Sequence, residues 1–236
     1  MKTAYVTGAD RGLGEALARA LLSEDYHVFA GQYLPDWPQL TALLNAHPDK
    51  LTVLPLDVTS DVSVATAAEL VAAETDHLDL LINNAALFQD RSGSVMDDLY
   101  FDDMLTLYDT NCLGPLRVTH SVMPLLRAGH RKLLVNISSE AGSIGQCWRK
   151  KEYGYAMSKA ALNMQSAILR NHLEEYGIQV MAIHPGYVRS YMLGHFNEDA
   201  TVDADESARS ILELIRLRTD SHAPLYLDYQ GSALPW

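Results

Sequence analysis

Short apolar runs alternate along the chain with longer segments whose apolar residues recur every three or four positions. The short runs predict β-strands, and the longer periodic segments predict amphipathic helices. The predicted strands are Lys2–Val6, Tyr26–Ala30, Leu51–Leu56, Leu78–Ile82, Lys132–Ile137, Gln179–Ile183 and Leu225–Leu227. The predicted helices are Glu15–Leu22, Gln39–Ala46, Val62–Ala73, Phe101–Leu126, Tyr155–Tyr176 and Glu206–Leu217.

This alternation of strand and helix predicts one α/β domain over residues 1–236. Right-handed strand–helix–strand units build a parallel sheet that helices cover on both faces. We therefore expect a doubly wound Rossmann fold with about seven strands. Ligands of such sheets bind at the carboxyl ends of the strands, near the point where the strand order reverses. Candidate chemistry is expected in the segments that follow the strands.

Composition narrows the class of protein. The chain has 236 residues, two cysteines and a net charge of −12. Cys112 and Cys147 provide no disulfide framework, and the scattered histidines form no metal-ligand set. The acidic balance argues against binding to nucleic acid or to an anionic membrane surface. No apolar run approaches the roughly 20 residues that span a bilayer. The residues before the first strand lack the apolar region of a signal peptide, so we do not expect secretion by that route. We expect a cytoplasmic protein without a metal.

Three glycines follow the first predicted strand and precede the first predicted helix. They are Gly8, Gly12 and Gly14 in the segment Thr7-Gly8-Ala9-Asp10-Arg11-Gly12-Leu13-Gly14. Glycines allow a tight turn and a close approach of the backbone to a pyrophosphate, and the helix N-terminus offers free N–H groups to the anion. An ordinary turn is the alternative, but the strand–turn–helix context favours a dinucleotide site.

Tyr155 and Lys159 lie four residues apart in the predicted helix Tyr155–Tyr176, so their side chains share one face. A free tyrosine has a pKa of about 10 and is a poor acid or base at neutral pH. A nearby positive charge favours the phenolate, so Lys159 is expected to lower the pKa of Tyr155. Tyr153 has the wrong spacing to Lys159 for the same role. Taken alone, this pair of residues occurs on many helix surfaces by chance.

Five motifs accompany this pair in a fixed order. They are the Thr7–Gly14 turn, Asn83-Asn84-Ala85-Ala86, Asn111 within Thr110–Gly114, Val135-Asn136-Ile137-Ser138-Ser139, and Pro185-Gly186 followed by Val188 and Ser190. Together they resemble the short-chain dehydrogenase/reductase family over essentially the whole chain. Ala86 departs from the family's usual glycine, and Ser190 stands where threonine is common. The segment Gly231–Trp236 resembles a carbonyl-reductase branch that includes the bacterial C-factor-like proteins.

The resemblance implies an NAD(P)-dependent oxidoreductase that transfers hydride between nicotinamide and a carbonyl or alcohol substrate. Tyr155 would donate or accept the proton, and Ser139 would hold the substrate oxygen. Lys159 would bind the nicotinamide ribose as well as tune the tyrosine, and Asn111 would hold a water on a proton path to solvent. The structural alternatives are a strand-end cap for Ser139 and a backbone-bonded helix residue for Asn111.

The separation between Ser139 and Tyr155 is a few residues longer than is usual in the family. The segment Gln146–Lys151 is therefore expected to be an insertion that forms one wall of the substrate pocket. Ser138 or Ser143 could replace Ser139 if the strand ends elsewhere.

Cofactor preference depends on the charges near the adenosine ribose. Gln32 is neutral at the position where an acid would indicate NAD, and Arg11 resembles the basic residue that meets a 2′-phosphate. Arg11 could instead pair with an acid such as its neighbour Asp10. We expect NADP, with NAD as the alternative. Asp57 and Val58 resemble an adenine-binding pair, although Asp57 could simply cap the next helix. The expected cofactor residues are Gly8, Asp10, Arg11, Gly12, Leu13, Gly14, Gln32, Asp57, Val58, Asn84, Ala85, Ala86, Tyr155, Lys159, Pro185, Gly186, Val188 and Ser190.

Three loops, near residues 87–98, 142–152 and 191–205, are expected to surround the substrate. Their apolar side chains favour an apolar carbonyl or alcohol; they are Phe88, Met96, Ile144, Trp148, Met192 and Phe196. The resemblance also implies that the two longest helices pair across a dimer axis, giving a homodimer or homotetramer.

A cofactor-binding regulatory or signalling protein on the same fold, with little turnover, is the alternative function. The set of Asn111, Ser139, Tyr155 and Lys159 favours an enzyme, because a binding module would not need all four.

Overall fold

Seven parallel strands form a single sheet in the computed structural model, which describes residues 1–218, 220 and 223–236. The strands are β1 (Lys2–Val6), β2 (Tyr26–Gln32), β3 (Leu51–Pro55), β4 (Leu80–Asn83), β5 (Leu133–Ile137), β6 (Gln179–His184) and β7 (Tyr226–Asp228). Their order is β3-β2-β1-β4-β5-β6-β7. The helices are α1 (Gly12–Ser23), α2 (Pro38–Ala46), α3 (Asp61–Glu74), α4 (Phe101–Tyr108), α5 (Gly114–Ala128), α6 (Tyr153–Leu173) and α7 (Ala204–Leu217).

Side chains of successive strand residues alternate between the two faces of the sheet, and helices cover both faces. Ala4 and Val6 of β1 belong to a core with α1, α2 and α7. Tyr5, between them, belongs to a second core with α3, α5 and α6. The prediction of a single-domain, doubly wound Rossmann fold is thereby confirmed. No helix among the described residues has the length and apolar character needed to cross a membrane.

The prediction of one continuous helix over Phe101–Leu126 is wrong in one respect. A π-helical turn, Asp109–Leu113, separates α4 from α5 and contains the fully buried Asn111. Such turns widen a helix locally and occur often at functional sites. Apolar periodicity does not reveal them, since the helix axis continues and the apolar stripe is shifted only slightly.

The other predicted boundaries differ from the structure by a few residues. Helix α1 begins at Gly12, within the glycine turn, three residues before its predicted start. The predicted helix Tyr155–Tyr176 corresponds to α6 and a 3₁₀ turn, Glu174–Tyr176. The strand order reverses between β1 and β4, so the loops after these strands flank a crevice at the carboxyl edge of the sheet.

Candidate active site

The glycine turn after β1 has a backbone that other residues could not adopt without strain. Gly8 has φ of +63° and Gly12 has φ of +59°. A Cβ atom on Gly8 would lie 2.8 Å from the Cα of Ala85, and one on Gly14 would lie 2.1 Å from the Gly8 carbonyl oxygen. Glycine is therefore required here for close packing of α1 against the turn, as well as for access by a ligand.

The first turn of α1 has N–H groups that no side-chain cap satisfies. Arg11 is the N-cap residue, and its side chain makes no capping hydrogen bond. The N–H groups around Leu13 and the positive end of the helix dipole therefore remain available at the crevice. This arrangement fits a dinucleotide pyrophosphate.

Hydrogen bonds join the loops after β1 and β4 where the strand order reverses. The Thr7 Oγ1 atom accepts from the N–H groups of Asn84 and Ala85, each at 3.0 Å. The Asn84 Nδ2 atom donates to the carbonyls of Thr7 and Gly8, each at 3.0 Å. The Asn84 side chain thus fixes the two loops to each other, and Ala85 and Ala86 continue along the edge of the crevice.

The residues expected near the adenosine ribose are arranged around a buried carboxylate. Asp10 Oδ1 accepts from the N–H groups of Tyr33 and Leu34, at 2.8 and 2.9 Å. These bonds fix the loop that follows Gln32 at the end of β2. Burial raises the pKa of Asp10, although both backbone hydrogen bonds oppose that rise.

Arg11 stacks on an aromatic ring. Its guanidinium carbon lies 4.6 Å from the centre of the Trp37 ring, which is cation–π distance. Within the part of the chain that the structure describes, no carboxylate forms an ion pair with Arg11. The alternative in which Arg11 pairs with an acid is therefore wrong for this structure, and the guanidinium edge remains available to an anion.

Asp57 closes a turn just before α3. Its Oδ1 atom accepts from the N–H and the hydroxyl of Thr59, at 2.9 and 2.7 Å. The N-cap of α3 is Ser60, whose side chain accepts from the N–H of Ser63. The alternative that Asp57 caps this helix is thus incorrect. Val58 is buried, and a Cβ atom on Gly114 would lie 2.8 Å from its Cγ2.

Ser139 lies directly beyond β5 beside Tyr155. Its Oγ atom accepts from the N–H of Ala141 at 3.1 Å, and its hydroxyl lies close enough to Tyr155 to lower the pKa of that tyrosine. The two alternative serines have other partners: Ser138 donates to Asn163 Oδ1, and Ser143 donates to the Pro235 carbonyl, each at 2.6 Å. Ser139 is thus the serine hydroxyl that the structure brings to Tyr155.

Tyr155 and Lys159 are both buried on one side of α6. Burial raises the pKa of Tyr155 to about 12, and the nearby Ser139 hydroxyl only partly opposes this rise. The expectation that Lys159 brings this pKa below its usual value is therefore wrong. The Lys159 Nζ atom donates to the Ile137 carbonyl at 2.9 Å, and burial lowers its own pKa to about 8. At both residues, the loss of hydration on burial therefore shifts the pKa more than the nearby charges and hydrogen bonds do.

Asn111 uses most of its side-chain hydrogen-bonding capacity within the protein. Its Oδ1 atom accepts from the N–H of Leu87 at 2.8 Å. Its Nδ2 atom donates to the Leu87 carbonyl at 2.9 Å and to Ser158 Oγ at 3.0 Å. A water at this side chain could use only the second lone pair of Oδ1. Asn111 thereby ties the π-helical turn to the start of the 87–98 loop.

Two residues of that loop contact the first turn of α6. The Phe88 ring packs edge-on against Tyr155, with centroids 4.6 Å apart. Asp90 Oδ2 accepts from the N–H of Gly154 at 2.8 Å and of Tyr155 at 3.4 Å. The N-cap residue itself, Glu152, makes no side-chain capping bond. Asp90 is not predictable from the sequence, because no local pattern shows that a carboxylate 64 residues earlier caps α6.

The segment after β6 returns to the glycine turn. Gly186 has φ of +84°, and a Cβ atom there would lie 3.0 Å from both Tyr229 and Val202. A Cβ atom on Gly12 would lie 3.3 Å from the Cβ of Ser190. Pro185 precedes this segment, and Val188 forms an isolated parallel bridge with Val202.

The three loops expected around the substrate differ in how closely they approach the site. Tyr191 contacts Trp37 and Phe196, with ring centroids 5.0 and 5.1 Å apart. Met96, Ile144 and Trp148 are largely exposed. Of the apolar residues predicted to line the pocket, Phe88 is the one in ring contact with Tyr155. Among the described residues, no cluster of three His, Cys, Asp or Glu side chains could hold a metal ion.

Comparison with known proteins agrees with this geometry. A family model described as short chain dehydrogenase matches residues 2–201. The C-signal of Myxococcus xanthus is 37% identical over 164 residues, which are 69% of this chain and 95% of the relative. The 1-hydroxy-2-glutathionyl-2-methyl-3-butene dehydrogenase of a Rhodococcus species is 30% identical over 239 residues, covering 100% of both chains.

Among solved structures, the NADPH-bound carbonyl reductase from chicken fatty liver is 30% identical, with a TM-score of 0.90 over 100% of this chain and 99% of its own. The carbonyl reductase Sniffer of D. melanogaster is 25% identical, with a TM-score of 0.91 over 100% of both chains.

Proposed function

The chain belongs to the short-chain dehydrogenase family and is an NAD(P)-dependent oxidoreductase, and on this basis we propose that it interconverts an apolar carbonyl compound and its alcohol with NADP(H). One observation carries the proposal: the buried side chains of Tyr155 and Lys159 lie on one side of α6, close to Ser139, at the sheet edge that also holds the glycine turn. A regulatory protein without turnover is not favoured, because the matched relatives and structures include named dehydrogenases and carbonyl reductases.

Proton transfer at the substrate oxygen is the part of the reaction that the protein supplies. A bound nicotinamide provides or accepts the hydride. Because the pKa of Tyr155 is raised to about 12 by burial, its phenol keeps its proton at neutral pH, which is the form that a carbonyl reduction requires. Ser139 would donate a hydrogen bond to the same substrate oxygen and hold it against the tyrosine.

Two further residues would support this step. Lys159 would hydrogen-bond the nicotinamide ribose, and its positive charge would stabilise the phenolate that remains after Tyr155 donates its proton. The ammonium has three N–H donors, so it can keep its bond to the Ile137 carbonyl while it contacts these groups. Asn111 would keep the neighbouring loop in place and, through the free lone pair of Oδ1, hold a water on the path that returns the proton.

The dinucleotide would lie along the carboxyl edge of the sheet. The turn from Gly8 to Gly14 and the first N–H groups of α1 would bind the pyrophosphate. Ala85, Ala86 and the Pro185–Ser190 segment would flank the nicotinamide half, while Asp57 and Val58 would flank the adenine. Arg11 would bind the 2′-phosphate of NADP, since it has no carboxylate partner among the described residues and Gln32 brings no negative charge.

A homodimer is the assembly that we propose. Apolar side chains are exposed in stripes along α4 and α6, at Phe101, Leu105 and Tyr108 and at Met157, Met164 and Ile168. Exposed apolar stripes on adjacent helices are typical of subunit interfaces. The cytoplasmic location stays a prediction.

A direct assay tests the proposed function. Purified protein is incubated with NADPH or NADH and a panel of aldehydes and ketones that ranges from short polar to aromatic and long-chain compounds. We expect oxidation of NADPH to be fastest with apolar substrates. Binding of NADPH without turnover of any carbonyl or alcohol would contradict the proposal and favour a regulatory role.

A further inference from the structure

Arg149, in the insertion between Ser139 and Tyr155, contacts two carboxylates at once. Its Nη1 and Nη2 atoms donate to the two Glu140 oxygens, at 3.0 and 2.5 Å. Its Nε atom donates to Glu152 Oε2 at 3.1 Å. The arginine side chain is only 12% exposed. A two-point Arg–carboxylate contact that is partly shielded from water fixes geometry as well as charge.

The two carboxylates belong to the elements that hold the reacting groups. Glu140 follows Ser139 and begins a 3₁₀ turn, Glu140–Gly142. Glu152 is the N-cap residue of α6 and has φ of +67°. Its left-handed backbone brings the chain into the helix only three residues before Tyr155. The guanidinium therefore joins the serine turn to the start of the tyrosine helix.

We propose that Arg149 is a positioning residue of the reaction, which holds the Ser139 turn and the Tyr155 helix at a fixed separation through Glu140 and Glu152. The inference rests on the proposed function of this site. It assigns a role to the insertion, whose aromatic residue Trp148 is largely exposed. Within the insertion, Arg149 is the residue that contacts the elements carrying Ser139 and Tyr155.

The positive charge of Arg149 also lowers the pKa of Tyr155. Several groups influence the pKa of Tyr155: Ser139 and Arg149 lower it, and the Glu140 and Glu152 carboxylates raise it. The Lys159 ammonium lies 5.8 Å from the centre of the tyrosine ring. Asp90 caps the helix at its N–H groups, and the Tyr226 hydroxyl from β7 donates to the Ser139 carbonyl at 2.5 Å. Loss of Arg149 would leave Glu140 and Glu152 unbalanced, and their negative charge disfavours a phenolate.

The experiment compares Arg149→Met and Arg149→Lys with Arg19→Met. Arg19 is a matched control because it also bridges two carboxylates, Glu15 at 3.0 Å and Asp205 at 2.6 Å, but on the α1–α7 side of the molecule. For each variant, kcat and KM for a carbonyl substrate, the Kd of NADPH by calorimetry, and the pH profile of alcohol oxidation are measured.

We expect Arg149→Met to lower kcat on the order of 10–100-fold, as misplacement of reacting groups does, with a nearly unchanged Kd for NADPH. The alkaline rise of alcohol oxidation should move to higher pH. Arg149→Lys keeps the charge but cannot bridge both carboxylates, so it should recover the pH profile more than kcat. Arg19→Met should keep the kcat and pH profile of the wild type.

A folded Arg149→Met variant with kcat within twofold of the wild type would overturn the inference. Equal losses of kcat in Arg149→Met and Arg19→Met would also overturn the inference. If Arg149→Met does not fold, Glu140→Gln decides instead: it weakens the same contact and should lower kcat without weakening NADPH binding, and an unchanged kcat refutes the inference. Failure of the proposed function is distinct, because the wild type itself would then show no turnover.

Discussion

The Lys159 ammonium lies 5.8 Å from the centre of the Tyr155 ring and donates its hydrogen bond to the main-chain carbonyl of Ile137, 2.9 Å away. Burial moves the two pKa values in opposite directions, to about 12 for the phenol and about 8 for the ammonium. At neutral pH, the protein therefore holds a neutral phenol beside a charged lysine. A protonated phenol next to a positive charge is suited to donate its proton to a carbonyl oxygen.

Tyr155→Phe tests the proton donor, because it removes one hydroxyl and keeps the ring that packs against Phe88. A positioned acid is worth roughly 10²–10⁴ in rate, so kcat for carbonyl reduction should fall by at least the lower bound. The Kd of NADPH should stay close to that of the wild type, since the glycine turn and Lys159 remain. Steady-state kinetics and calorimetric titration measure the two quantities. Turnover near the wild-type rate would refute the assignment.

Lys159→Met should make the free protein more stable at neutral pH. Burial in the folded state lowers the pKa of Lys159 from 10.5 to about 8. Each pKa unit corresponds to about 1.4 kcal/mol, so keeping the ammonium charged at neutral pH lowers the unfolding free energy by a few kcal/mol. The lost bond to Ile137 offsets part of this. We expect a net gain of about 1–3 kcal/mol in unfolding free energy, with turnover and NADPH binding both weakened.

The pH dependence of this gain provides the check. Between pH 8 and 10.5, the unfolded chain still binds the Lys159 proton while the folded protein has released it. Wild-type stability therefore rises with pH relative to Lys159→Met. Urea unfolding of both proteins from pH 7 to 10.5 should show their difference shrinking across this window. A constant difference would mean that the ammonium is not strained in the folded state.

Arg11→Met tests the preference for NADP. The guanidinium has no acidic partner among the described residues and would form a charge-assisted contact with the 2′-phosphate. Hydrogen bonds to charged groups contribute about 1.5–3 kcal/mol, so NADPH should bind the wild type more tightly than NADH by roughly 10–100-fold. The variant should lose NADPH affinity selectively in calorimetric titrations. Equal affinities in the wild type would contradict the predicted preference.

The homodimer is tested by placing charge in the exposed stripe of α6. Light scattering at micromolar concentration should report twice the 26.1 kDa of the chain. Met164→Glu combined with Ile168→Glu should dissociate the dimer, because both side chains are more than half exposed and lie one helical turn apart. Val62→Glu on α3, which is also exposed, is the control and should leave the assembly unchanged. A wild-type monomer would contradict the proposal.

Local pattern was enough to predict the fold and the edge of the sheet where the chemistry lies. Strands with buried side chains on both faces are recognisable as apolar runs in the sequence. The glycines at 8, 12 and 14 are recognisable because the backbone of one short segment requires them. The pKa of Tyr155 could not be predicted in the same way, because its hydration depends on distant residues such as Phe88. The roles of Arg149 and Asp90 are not predictable for a related reason, because the tertiary structure determines which groups they contact.

Asp90→Ala should weaken both the folded state and the reaction, since Asp90 supplies the cap that Glu152 does not. The carboxylate accepts from the N–H groups of Gly154 and Tyr155, at 2.8 and 3.4 Å. Loss of a cap costs about 0.5–2 kcal/mol, so the urea midpoint should fall accordingly.

Ser60→Ala removes the ordinary N-cap of α3 and serves as the matched control. Both variants should lose similar unfolding free energy, but only Asp90→Ala should also lose kcat, because the freed N–H groups belong to the turn that carries Tyr155. Asp90→Asn retains an accepting oxygen without the charge that favours a helix N-terminus, so its losses should be smaller. Equal kcat in Asp90→Ala and Ser60→Ala would show that the cap stabilises α6 without positioning the tyrosine.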